Sequence, residues 1–216
     1  LDPKVQATML RLLMDKKNEY IGNAIWTAAK GGAASAGVTA PADSIQIGRG
    51  KEKYFDGVVK RIIDNVNATN TELTDGAAVE KALYAMWKKC PKQIRKKTSL
   101  AFVIGWDAWD AYDQYISDKQ VKYSENTEVN RYRFKGKRII PIVGIPEHTI
   151  VLGEFSTGME SNLWMGVDYA NDAEVLKIDR LQSNSELFFF QMRMKMDINL
   201  VRPGEIVVHT AYKKTV

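Results

Sequence analysis

The chain has 216 residues, enough for one large domain or two small ones with a real core. Its 45% hydrophobic, 26% charged and 10% aromatic residues are those of a globular protein, and no apolar run approaches the roughly 20 residues that cross a bilayer. A net charge of +5 is too small to identify a nucleic-acid binder, and the single Cys90 excludes an intrachain disulfide framework and a cysteine-built zinc site.

The N-terminus lacks a signal-type apolar segment, and the lone cysteine suits a reducing compartment. The first residue is Leu1 rather than Met, which reads as a trimmed or processed piece of something longer. Residues 3–20 carry Val5, Met9, Leu12, Leu13 and Tyr20 near helical spacing, with Pro3 where a first turn tolerates it, so this stretch is expected to be a helix. Lys30–Gly50 is rich in Gly, Ala and Ser and reads as a loop with little core to offer. Tyr54–Asn65 places Phe55, Val58, Val59, Ile62 and Ile63 on one side of a short helix.

Gly76–Cys90 gives the clearest helix. Val79, Leu83, Met86, Trp87 and Cys90 form a single apolar stripe, Asp75 is placed to cap the start, and Pro91 to end it. Leu100–Ile104 ("LAFVI") is a buried type of strand, and after Gly105 a helix is expected over about Asp107–Ser117. A polar loop follows. Arg138–Val143, Thr149–Leu152 and Val175–Ile178 read as strands, with Pro141 confining the first to an edge or a bulge. Phe188, Phe190, Met192, Met194, Met196, Ile198 and Leu200 then alternate with polar residues, which predicts one strand about 40 Å long, paired through a turn at Arg180–Glu186 with the strand before it. "RPGE" (Arg202–Glu205) is a turn and Ile206–Thr210 a last strand, and the class is α+β.

Chemistry-bearing residues are few. His148 and His209 lack ligand-spaced neighbours and read as structural or surface histidines, while Cys90 belongs to an apolar stripe and reads as packing. Asp107, Asp110 and Asp113 share one helix face; they read as a wet face, with Mg²⁺ binding by an enzyme as the alternative from another class. "GRGKE" (Gly48–Glu52) lacks the phosphate-loop spacing, and no nucleophile elbow or paired-histidine zinc motif occurs. Charge is concentrated instead in Lys88–Lys97, where six of ten residues are Lys or Arg, and in Arg131–Arg138, where five of eight are. Such segments suit solvent, phosphates or acidic faces of partner subunits, and a monomeric nucleic-acid-binding module is a further alternative.

The ordered set of pieces carries a resemblance. "ALYAMWKKCPKQIRKK" is followed by "TSLAFVIGWDAWDAYDQYISDK", then by "YRFKGKRIIPIVGIPEHTIVLGEFS", "NLWMGVD", a charged hairpin and "RPGEIVV". From about Tyr54 to Val208 the chain resembles the major capsid proteins of tailed bacteriophages, the Hong Kong 97-type fold shared with encapsulins. The resemblance implies an α+β capsid fold with a spine helix at 76–90, a long β-hairpin and a mixed-sheet axial domain. Residues 1–98 and 175–199 would be the peripheral domain, and 99–174 with 200–216 the axial one. The apolar face of the long strand would pack on the spine helix, while Arg193, Lys195 and Asp197 look outward. The family's N-terminal arm and extended loop would be absent or reduced.

In function the resemblance implies a structural protein and not an enzyme: a virion subunit of a phage or prophage, assembled in the bacterial host cytoplasm. It would form hexamers and pentamers around double-stranded DNA, with scaffold and portal proteins as further partners, no membrane and no cofactor. An encapsulin-type shell around protein cargo is the alternative within the same fold. Candidate assembly or DNA-facing contacts are Lys88, Lys89, Lys92, Arg95, Arg131 and Arg133, with Gln182, Ser183, Asn184 and Ser185 at the hairpin tip.

Overall fold

The computed structural model describes residues 3–33, 36–42, 44–49, 54–63, 68–119, 132–167, 175–180, 188–193 and 195–214, with the backbone alone at 3, 5, 6, 175–180 and 188–193. Its centre is a five-stranded mixed sheet. The middle strand β2 (Leu100–Gly105) is buried along its whole length. It runs antiparallel to β5 (Thr149–Glu154) on one side and parallel to β4 (Lys137–Ile142) on the other. The outer strands are β10 (Val207–Thr210), antiparallel to β5, and the two-residue β3 (Arg133–Phe134), antiparallel to β4. The run "LAFVIG" suits this central place, because a strand covered on both faces needs apolar residues at every position.

Each face of the sheet carries its own core. Leu100, Phe102 and Ile104 point towards α3 (Gly76–Lys89) and α4 (Trp106–Asp118), together with Ile139, Leu152 and Val207. Val103, Val151 and Val208 point the other way, onto the C-terminal end of α1 (Pro3–Thr27), onto α2 (Val58–Ile62) and onto β9 (Met196–Leu200). The period-two alternation of the strands sorts the side chains between these two clusters.

Helix α3 starts as expected: the Asp75 carboxylate accepts from the Ala78 amide at 2.8 Å, and the helix stops before Pro91. It packs on α4 so closely at Gly76 that a Cβ there would strike Tyr115 and the Ala111 carbonyl. β2 passes into α4 with no loop between them, Gly105 serving as the last strand residue and the N-cap. Pro141 fits β4 because the Ile139 amide, two residues before it, donates outward to the Tyr132 carbonyl (2.7 Å). The amide that Pro141 lacks would therefore point to the free edge rather than to β2.

The helix expected over 3–20 is present and extends to Thr27; its buried residues gather at Ala24, Trp26 and Thr27, while Leu12 is 60% exposed. Three expectations need correction. The Gly/Ala/Ser stretch after α1 does contribute core, since Ala36, Val38 and Ile47 are buried and β1 (Val38–Thr39) pairs with β11 (Lys213–Lys214). Small residues let this loop lie against the body of the protein. The helix expected over 54–65 is reduced to the five residues of α2.

The single long strand is two strands. β8 (Phe188–Arg193) pairs with β7 (Val175–Arg180), whereas β9 pairs with β6 (Leu163–Val167), a strand whose exposed Met165, Gly166 and Val167 show no alternation. The two halves have different partners, and Lys195 between them belongs to neither strand. Ile198 and Leu200 belong to the cluster around α2 and not to the one around α3, so this part of the apolar face does not pack on the expected spine. The side chains from Phe188 to Met194, the loop over 120–131 and the turn at 181–187 lie outside the described residues. Among the described residues no helix is long and apolar enough to cross a membrane.

Candidate assembly and nucleic-acid interface

The structure brings the two basic segments together. Chain reversal at Pro91 returns Lys92–Lys97 along the end of α3, and the β3–β4 hairpin lies against it. Lys137 Nζ donates to the Lys97 carbonyl at 2.7 Å, and Lys135 Nζ sits 4.9 Å from the ring centre of Tyr84 on α3. The hairpin is a two-residue type I′ turn with Lys135 at φ 51° and Gly136 at φ 76°, the geometry that suits the twist of paired strands. Its register sets Arg133 directly opposite Arg138, both exposed, so two guanidinium groups leave the sheet side by side. Among the described residues, no carboxylate pairs with Lys88, Lys92, Arg133 or Arg138.

The other candidates differ in how far they are free. Lys89 is exposed, but its Nζ donates to the Ala68 carbonyl at 2.6 Å. Arg95 is turned inward: its guanidinium donates to the carbonyls of Trp87, Lys88 and Cys90 (2.8–3.1 Å) and lies over the Trp87 ring. It thereby fills the role of a C-terminal cap for α3. Arg131, Gln182, Ser183, Asn184 and Ser185 lie outside the described residues.

A second charged cluster was not legible beforehand. Glu154, buried at the end of β5, accepts from Lys97 Nζ (2.7 Å) and Ser99 Oγ (2.5 Å) and pairs with the Arg202 guanidinium at 3.2 Å. Burial alone would raise its carboxyl, but the hydrogen bonds from Lys97 and Ser99 and the charges of Lys97 and Arg202 hold it below the usual carboxylate range. Asn162 completes the cluster, donating from Nδ2 to the Arg202 carbonyl and accepting from the Arg202 amide. Four sequence-distant segments are tied here. A lone Glu ending a strand with Gly before it gave no signal of that role.

Both histidines are structural, as expected. Buried His209 bridges to Thr69 Oγ1 through Nδ1 (2.6 Å) and to the Thr71 carbonyl through Nε2 (2.8 Å), and His148 Nδ1 meets the Leu73 backbone at 3.1 Å. Together they fasten the segment before α3 to the sheet. Burial, with the nearby charge of His148, lowers the His209 pKa despite the Thr71 hydrogen bond. Cys90 is buried, and that burial pushes its thiol up, which suits packing and not nucleophilic work. Asp107 and Asp110 are exposed on α4, and among the described residues no group of acidic, His or Cys side chains is placed to hold a metal.

No protein-family model and no curated protein matches the sequence. Solved structures do. A chain of the satellite phage P4 procapsid that includes the size determination protein superposes with a TM-score of 0.63 at 9% identity, over 95% of this chain and 63% of that one. The fold is that of phage capsid proteins. A chain from Mycobacterium phage Che8 superposes with a TM-score of 0.51 at 13% identity, over 69% of this chain. The present chain spans 55% of the Che8 chain and 63% of the P4 chain. The mixed five-stranded sheet and its helices are thus a capsid-type α+β arrangement.

Proposed function

We propose that this chain is a structural subunit of a phage or prophage capsid, of the Hong Kong 97 type, whose activity is self-association and not catalysis. One observation carries the proposal: nearly the whole chain superposes on a procapsid chain despite 9% identity, so the likeness resides in the arrangement of the elements. The shell would be built of hexamers and pentamers around double-stranded DNA, in a virion assembled in the host cytoplasm, with scaffold and portal proteins as partners. Helix α3 would be the spine of a peripheral part (1–98 and 175–199), with the five-stranded sheet at the heart of an axial part (99–174 and 200–216).

Surface chemistry supports self-association. Met159, Trp164 and Met165 are large apolar side chains that line one groove beside β6 and are left exposed by a single copy, a surface that a neighbour could cover. Unpaired cations at the end of α3 and on the hairpin add charge for neighbours or for phosphates. Light scattering of the size-exclusion peak, with negative-stain microscopy of the same fractions, tests the proposal. Closed megadalton particles are expected. A product that stays at the 24.4 kDa of one chain would contradict it.

A further inference from the structure

Phe134 and Ile139 point into the core beneath α3 and α4. Their strand neighbours Arg133 and Arg138 therefore leave the opposite face of the sheet, as alternation requires. Helix α4 covers the first face with Ala108, Trp109, Tyr112 and Ile116, and it turns Trp106, Asp107 and Asp110 outward. Trp106 and Asp110 stand one helical turn apart, so a 46% exposed indole lies beside an exposed carboxylate. The molecule thus shows an unpaired arginine pair on one side and an aromatic–carboxylate surface on the other. Separated by the thickness of the sheet and a helix layer, the two cannot meet within one chain.

We propose that Arg133 and Arg138 are the docking surface for the α4 outer face, Trp106, Asp107 and Asp110, of a second copy. The inference rests on the shell-subunit reading above and names a contact for it. Charge complementarity between two different surfaces of one molecule makes a heterologous, head-to-tail contact, the kind that closes into rings when the rotation between copies closes. Guanidinium groups suit both halves of the target, pairing with carboxylate in a fork and stacking on the Trp106 indole. The contact also relieves the direct opposition of Arg133 and Arg138 across β3 and β4, which no acidic side chain relieves among the described residues of the single copy.

Charge-swapped chains test this. Arg133→Glu/Arg138→Glu and Asp107→Lys/Asp110→Lys are each expected to lower the assembled fraction about tenfold, the effect of a contact of about 1.4 kcal/mol. Combining all four changes in one chain is expected to restore assembly, since every contact again joins opposite charges; mixing the two variants is expected to restore it where they can alternate, as in an even-membered ring. Because Asp107 favours the α4 N-terminus, Asp110→Lys alone replaces the double variant if the latter's thermal unfolding shows it misfolded. Variants that assemble like wild type, or losses that neither mixing nor the fourfold swap restores, overturn the contact while leaving the shell reading intact. Arginine variants that assemble normally but lose salt-sensitive binding of double-stranded DNA also overturn it, in favour of phosphates. A wild-type chain that never assembles overturns the shell reading and the contact with it.

Discussion

Two charged regions of this chain are built from the same side chains and do different things. At Glu154, Lys97 and Arg202 converge on a buried carboxylate, and every charge has a partner. On the β3–β4 hairpin, Arg133 and Arg138 stand side by side in solvent with no carboxylate among the described residues. Where a charge is buried, removing its partner strands it at a cost of several kcal/mol; where it is exposed, it adds little to folding but acts at a distance on whatever approaches. The first region therefore serves the stability of one chain, and the second is the one we propose for its encounters.

Breaking the first region should show the largest effect. Glu154→Ala removes the buried carboxylate on which Lys97, Ser99 and Arg202 converge, while Glu205 stays within reach of both cations, and is expected to lower stability by about 2 kcal/mol, read from the urea midpoint. Arg95 tests the distinction inside the basic segment itself. Arg95→Ala uncaps three carbonyls at the end of α3 and should cost about 1.5 kcal/mol, whereas Lys92→Ala, at an exposed side chain, should stay within about 0.5 kcal/mol of wild type.

Acid separates the buried groups by their windows. The pKa of His209 in the fold lies below its ordinary 6.5, so its contribution is complete above that value and is lost as pH falls through the lowered one. Glu154 follows the same sign at lower pH: its contribution is complete above the ordinary 4.5 and is lost below. Urea midpoints should therefore fall first between neutral and mildly acid pH, and replacing His209 by Asn should flatten that first fall. The smallest change sharpens the comparison most. Arg133→Glu converts a like-charge pair opposite Arg138 into an attractive one, so it should stabilise the single subunit by about 0.5 kcal/mol while impairing assembly.

What the sequence disclosed follows how local each signal is. The α3 cap at Asp75, the stop at Pro91 and the run from β2 into α4 are set by neighbouring residues, and they appear where periodicity and capping rules place them. The exchange of partners between β8 and β9 is not local: alternation continues through 188–200, and nothing in it reveals that β7 holds one half and β6 the other. The burial of Ile47 and Val38 was hidden by the small, polar residues around them. At the candidate site, charge density identified both basic segments. Only the fold shows that they meet, that Arg95 faces inward, and that Arg133 opposes Arg138.

In the proposed shell, paired charges hold the subunit and unpaired ones help hold the assembly. Sedimentation velocity across a salt series, with far-ultraviolet circular dichroism and the urea midpoint measured at each salt concentration, tests it most directly. Assemblies that dissociate as salt screens exposed charges, while the fold and its urea midpoint stay nearly constant, are the predicted result. A chain that sediments as a monomer at every ionic strength would contradict the account.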